Sequence, residues 1–85
     1  MVKIEIYTKN LCGFCDRAKE LFKSKNLSYV EYNIQKNPLF LSEMLLRSNG
    51  KKLMPQIFIN DYHVGGFDNL IEFIKNKKFE SLINS

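Results

Sequence analysis

Residues 2–7, VKIEIY, alternate apolar and polar side chains and place Val2, Ile4 and Ile6 on one face, the period of a β-strand. Within a few residues the period changes. Ala18, Leu21, Phe22 and Lys25 recur at three- and four-residue steps, so Gly13 to about Asn26 is expected to form an amphipathic helix. Alternation returns in SYVEYNI, residues 28–34, with Val30, Tyr32 and Ile34 together. Strand, helix and strand in so short a stretch leave few solutions, chiefly a parallel pair joined by a right-handed crossover.

The remaining chain is punctuated in the same way. Asn37-Pro38 pairs a capping side chain with proline at the first helical position, and the helix it opens should turn Leu41, Met44 and Leu45 inward and stop at Gly50. PQIFI, residues 55–59, is a short apolar strand, and Asn60-Asp61 is a two-residue hairpin turn that folds the chain back through YHV. Leu70, Phe73 and Ile74 return to helical spacing, with Asp68 as the candidate N-cap. A last short helix should hold Phe79, Leu82 and Ile83. The expectation is an α/β fold of order β-α-β-α-β-β-α, with a mixed four-stranded sheet between helices, over one domain spanning residues 1–85.

Composition narrows the function. The formal charge is +4, but the basic residues are spread along the chain apart from Lys75, Lys77 and Lys78, and no nucleic-acid-binding module is visible. A positive surface still favours anionic substrates. Charges break every apolar run near the N-terminus, so neither a signal peptide nor a membrane span is expected. A small secreted scaffold carries more cysteines than two, which points to a cytoplasmic protein.

Those two cysteines, Cys12 and Cys15, stand three apart where the first strand gives way to the first helix. A closed zinc site needs four ligands, and the chain adds only His63, far along in a strand, where a surface position without chemistry is expected. Two inert buried thiols are conceivable, since free cysteines are often buried, but that does not account for their spacing or place. A working dithiol does. At a helix N-terminus, unpaired N–H groups and the dipole stabilise a thiolate, and Lys9 adds positive charge nearby. Cys12 would be the reachable nucleophile and Cys15, one turn on, the sheltered resolving thiol. C-x-x-C beside a β-α-β pattern is the mark of thioredoxin-like redox chemistry.

YTKNLCGFC, MPQIFI and VGGFD, in that order, resemble the glutaredoxins of the thioredoxin superfamily from Val2 to about Phe79. The Met-Pro and Gly-Gly-Phe-Asp wording is similar to small bacterial or bacteriophage members. The resemblance implies a glutathione-dependent thiol–disulfide oxidoreductase acting on protein disulfides and glutathione mixed disulfides, ribonucleotide reductase among the substrates to consider. It implies that Lys9 pairs with a glutathione carboxylate, although a solvated surface lysine remains the alternative. Met54-Pro55 matches the cis-proline dipeptide whose backbone pairs with the cysteinyl part of glutathione; an ordinary trans proline opening a strand is the alternative. Gly65-Gly66 permits a close backbone approach, which makes Gly66 a candidate glutathione contact, or is simply a strand-ending turn; Phe67 and Asp68 match the residues that receive the γ-glutamyl end, and Asp68 could also be only a cap. Phe14 either flanks the site or joins the core.

The chain also departs from the family. Its active site reads C-G-F-C where C-P-Y-C is usual, so Gly13 restores an N–H and frees the φ that proline restricts. C-G-F also begins the monothiol C-G-F-S type, which keeps open a different class of function: a dimer holding a [2Fe–2S] cluster through Cys12 and glutathione. Otherwise a monomer is expected. Leu53 and Met54 stand where Thr-Val is more usual.

Overall fold

The computed structural model describes residues 2–83. The elements are β1 (Ile4–Thr8), α1 (Gly13–Ser24), β2 (Val30–Asn33), α2 (Pro38–Arg47), β3 (Gln56–Ile59), β4 (Tyr62–Gly65), α3 (Phe67–Lys75) and α4 (Lys78–Ile83). The sheet runs β2-β1-β3-β4. β1 pairs parallel with β2, Tyr7 opposite Tyr32, and antiparallel with β3, Ile6 opposite Ile57. β4 completes the sheet antiparallel to β3. No helix among the described residues is long and apolar enough to cross a membrane.

The alternation in residues 2–7 is a strand, but not a half-buried one. Ile4 and Ile6 enter a core with Ala18, Phe22, Ile57 and Leu70, while Tyr7, on the other face, is buried with Met44 and Phe58. α1 and α3 cover one face and α2 the other, so every residue of β1 is buried. Val2 packs at the edge of the first core, before the strand begins. β2 forms the edge of the sheet, and there Val30 is 46% exposed while Tyr32 and Ile34 pack inward. An edge strand has a neighbour on one side only, and its far end escapes the helix layer.

Two helix faces differ from their periodic reading. Lys25 is no core position: it is exposed and caps α1, which ends at Ser24, and the left-handed Asn26 (φ 57°) turns the chain away. In α2 Phe40, rather than the exposed Leu41, packs inward beside Met44 and Leu45. The aromatic ring reaches Tyr32, with centroids 5.1 Å apart, which sets the rotation of the helix. The signals at its ends hold. Asn37 Oδ1 accepts from the N–H of Leu39 at 3.0 Å, and Gly50 (φ 86°) donates to the carbonyl of Leu45 at 2.8 Å. Asn60 and Asp61 have φ of 50° and 65°, as a type I′ hairpin turn demands. Phe79 is buried and Leu82 packs beside it; the side chain of Ile83 lies outside the described residues.

A polar cluster joins α2 to β1 without any periodic warning. Arg47 Nη2 lies 2.9 Å from Glu5 Oε1, its Nη1 donates to Tyr7 Oη at 2.9 Å, and Tyr32 Oη donates to Glu5 Oε2 at 2.9 Å. The guanidinium also sits 4.0 Å from the Phe58 ring centre. Burial pushes the Glu5 carboxyl up, but the hydrogen bonds from Arg47 and Tyr32 and the Arg47 charge together outweigh it and hold it below its usual value. Burial, and then the bond to that carboxylate, push Tyr32 up to about 12.

Candidate active site

β1 delivers the chain to the mouth of the sheet, and side chains pin the loop that follows. The Asn10 N–H donates to Gln35 Oε1 at 2.6 Å, and Asn33 Nδ2 donates to Asn10 Oδ1 at 2.9 Å. Thr8, buried at the strand end, donates to Glu31 Oε2 at 2.6 Å, and Lys19 of α1 reaches the same oxygen at 3.1 Å. These contacts tie α1 to β2 and so set where the helix begins. Cys12 is its N-cap, in extended conformation, and Cys12 Sγ accepts from the Cys15 N–H at 3.2 Å. An N–H aimed at sulfur, at the positive end of a helix, is the arrangement that stabilises a thiolate.

Cys12 and Cys15 form a disulfide, with Cα atoms 5.2 Å apart. Cys12 is 8% exposed and Cys15 1%, so the ordering expected from helix position holds, though Cys12 is more sheltered than expected while the bond is closed. Gly13 occupies the first helical position, with open space where a Cβ would stand. Among the described residues no three His, Cys, Asp or Glu side chains gather as a metal site.

Next to the pair lies a cleft of about 260 Å³ walled by Phe14, Leu53, Met54, Pro55, Gly66, Phe67, Asp68 and Asn69. It brings together three segments far apart in sequence, including six of the residues singled out above. Lys9 is exposed in the loop between β1 and Cys12 and is not part of the wall. Phe14 is no core aromatic: it is half exposed and stacks on Phe67, with centroids 5.9 Å apart. The Met54–Pro55 peptide is cis.

The turn into α3, beside the cleft, is shaped by Gly65 and Gly66. Gly65 has φ 113°, and a Cβ there would come within 2.6 Å of Asn69 Oδ1. That oxygen accepts the Gly66 N–H at 3.0 Å. The N-cap of α3 is therefore Gly66, with Asn69 reaching back from the third helical position, and Asp68 is not the cap. Asp68 lies inside the first turn, where a carboxylate still interacts favourably with the helix dipole. The signal was in the sequence, but Asn in place of the usual Glu or Gln at the third position hides it.

The family model described as Glutaredoxin matches residues 4–64. Glutaredoxin 3 of Escherichia coli K12 is 47% identical over 70 residues, covering 82% of this chain and 83% of that protein. The solution structure of a glutaredoxin from Brucella melitensis superposes with a TM-score of 0.78 at 39% identity, covering 96% of this chain and 88% of that one. A crystal structure of a buckwheat glutaredoxin–glutathione complex gives 0.83 at 25% identity, covering 95% and 76%. This chain belongs to the glutaredoxin family.

The glutaredoxin fold puts the redox pair of a thiol–disulfide oxidoreductase at the start of α1, and here the loop before the cis-proline has its own support. Buried Gln56 donates from Nε2 to the Leu53 carbonyl at 2.8 Å, and its Oε1 faces His63 Nε2 at 2.7 Å. With Nε2 directed at Leu53, it is the Gln56 amide oxygen that faces the ring, where it accepts from His63 Nε2. Burial first, then the charges of Lys51 and Arg47, lower the affinity of His63 for a second proton. The ring stacks on Phe58 with centroids 4.8 Å apart. His63 is thus a half-buried support for the cleft in this glutaredoxin, not a plain surface residue.

Proposed function

We propose that this glutaredoxin reduces protein disulfides and glutathione mixed disulfides in the cytoplasm, with glutathione as the electron donor. The observation that carries this is the cleft beside the cysteine pair, which brings Phe14, Met54-Pro55 and Gly66-Phe67-Asp68 together. The buckwheat relative, solved with glutathione, supports the same reading.

In the dithiol cycle the Cys12 thiolate attacks a partner disulfide, forming a Cys12–partner bond and releasing one partner thiolate. The Cys15 thiolate then attacks Cys12 sulfur, expelling the second partner thiolate and leaving the Cys12–Cys15 disulfide. One glutathione thiolate opens that disulfide at Cys12 and displaces Cys15. A second attacks the glutathione sulfur, releases glutathione disulfide and restores Cys12. Two electrons pass from two glutathiones to the partner. On a glutathionylated protein, Cys12 alone takes the glutathionyl group.

Within the cleft, the Met54 backbone pairs with the cysteinyl residue of glutathione. The Gly66–Phe67 turn and Asp68 receive its γ-glutamyl end, the carboxylate on helix N–H groups and the ammonium on Asp68. Lys9 reaches a carboxylate from outside the cleft, and Phe14 closes one side. The test is disulfide turnover with glutathione and glutathione reductase. Cys12→Ser should be inert, and Cys15→Ser should retain deglutathionylation while losing most protein disulfide reduction. Turnover supported only by thioredoxin reductase would overturn the glutathione assignment, and the reverse pattern of the two variants would exchange the cysteine roles.

A further inference from the structure

The loop that carries the cis peptide, residues 51–55, belongs to no helix or strand, and two buried side chains hold it. Ser48, 1% exposed, accepts from the Lys51 N–H at 3.1 Å and donates to the Lys51 carbonyl at 3.3 Å. Gln56, 4% exposed, gives its amide nitrogen to the Leu53 carbonyl. A carbonyl can only accept, so the other end of that amide, its oxygen, is what meets His63 Nε2. His63 therefore sets the rotation of the Gln56 amide, and the amide sets the loop. Neither residue is part of the cleft wall, so an effect of either on a bound molecule must pass through the loop.

The sheet brings His63 to that place through an irregularity. Phe58 stands opposite His63, but Ile57 stands opposite Gly65, so Val64 is an extra residue and β4 carries a bulge. Bulges re-aim the side chains beside them. Gln56 shares the Phe58 face of β3, which makes it a diagonal cross-strand neighbour of His63, within reach of a long side chain. The stacking of His63 on Phe58 then fixes the plane of the imidazole. The consequence for the loop follows from peptide geometry. The Leu53 carbonyl and the Met54 N–H belong to one planar unit, and it is trans, the Met54–Pro55 bond that follows being the cis one. Its C=O and N–H point in opposite directions. Drawing the carbonyl toward buried Gln56 aims the Met54 N–H away from it, and removing that one donor frees the plane to rotate.

We propose that His63 and Gln56 are positioning residues for glutathione: acting in series, they hold the Leu53–Met54 peptide in the plane that lets the Met54 backbone pair with the cysteinyl part of the tripeptide. The proposal rests on the glutathione reading above and deepens it, by separating two properties of the site. The reactivity of Cys12 is set at the start of α1, by the Cys15 N–H and the helix dipole. Selectivity for the glutathionyl group is set across the cleft, where β3 and β4 meet. A residue that acts only on the second leaves attack on a disulfide without a glutathionyl group as it was.

The test measures a single exchange, with no free glutathione present. Reduced protein is mixed with either of two mixed disulfides of thionitrobenzoate, one made with glutathione and one with 2-mercaptoethanol. The Cys12 thiolate attacks the glutathione or mercaptoethanol sulfur, forms a disulfide with it and expels the coloured thionitrobenzoate anion, so absorbance reports each rate. The ratio of the two rates is the selectivity for the glutathionyl group. Gln56→Leu removes the donor to Leu53 without burying a charge. It should lower the ratio about tenfold while the mercaptoethanol rate stays within about twofold of the wild type. His63→Phe keeps a ring against Phe58 and removes the donor to Gln56, and should lower the ratio about threefold. His63→Gln, which can donate again, should recover most of that loss. Added to Gln56→Leu, His63→Phe should lower the ratio no further, because the two act in series. A wild-type ratio near one would overturn the glutathione reading and the proposal with it. A wild-type preference that survives both Gln56→Leu and His63→Phe would overturn the proposal alone. So would an equal fall in both rates, which would place the effect at Cys12 or in the fold, and so would additive losses in the double variant.

Discussion

Replacing Arg47 by Met tests the polar cluster between α2 and β1. The methionine keeps the apolar stem against Phe58 and removes the guanidinium. The Glu5 side chain, 6% exposed, then loses partners at 2.9 and 3.3 Å and keeps the Tyr32 hydroxyl and Lys3, an exposed amine 3.9 Å away. Removing one member of a fully buried pair costs ~3–5 kcal/mol, and because the Arg47 side chain is itself 26% exposed we place this loss at about 2–3 kcal/mol at pH 7. For a domain this size that is a fall of roughly 10–20 °C in Tm. The pH dependence carries a definite sign. In the wild type Glu5 lies below its ordinary value near 4.5, so its contribution is present above that pH and lost as pH falls through the folded pKa. In the variant, burial acts with little opposition and raises the folded pKa above the unfolded one. The penalty is then present at neutral pH and relieved by acid. Urea titrations at pH 7 and pH 4 should show the gap between the two proteins narrowing on acidification, and Glu5→Gln in the Arg47→Met background should recover part of the loss. A gap independent of pH, or a double variant as unstable as the sum of the singles, would refute the reasoning.

Gly65→Ala meets both a positive φ and the Asn69 amide, and should cost about 2 kcal/mol in urea while weakening glutathione binding through the displaced turn. Asn69→Ala removes the acceptor of the Gly66 N–H and should cost about 1 kcal/mol; combined with Gly65→Ala the losses should be less than additive, because the clash partner is gone. Gly13→Pro places proline at the first helical position, where nothing lies near the missing Cβ, so stability should change by less than about 1 kcal/mol. The same variant, compared with the wild type for its Cys12 pKa and redox potential, shows whether the Gly13 N–H tunes the thiolate; identical values would make Gly13 neutral.

What the chain reveals about itself is what neighbours in sequence decide. The existence and order of the strands and helices, the Asn37-Pro38 cap, the two-residue Asn60-Asp61 turn and the placement of Cys12 and Cys15 at a strand-to-helix junction depend on a few consecutive residues and are legible there. The family resemblance added the grouping of Phe14, Met54-Pro55 and Gly66-Phe67-Asp68, which no local period could supply because three segments meet there only after the sheet forms. Other features needed the tertiary structure. That β1 is buried on both faces, that Val30 faces water, and that Phe40 replaces Leu41 in the core follow from strand order and helix rotation, which set how many neighbours each side chain has. Glu5 and Arg47 look like two surface charges when read in sequence, 42 positions apart. His63 looks like a strand surface residue until Gln56 and Phe58 are placed beside it. A charge or an imidazole takes its state from the groups around it, and those arrive from distant parts of the chain only when the sheet and helices close upon one another.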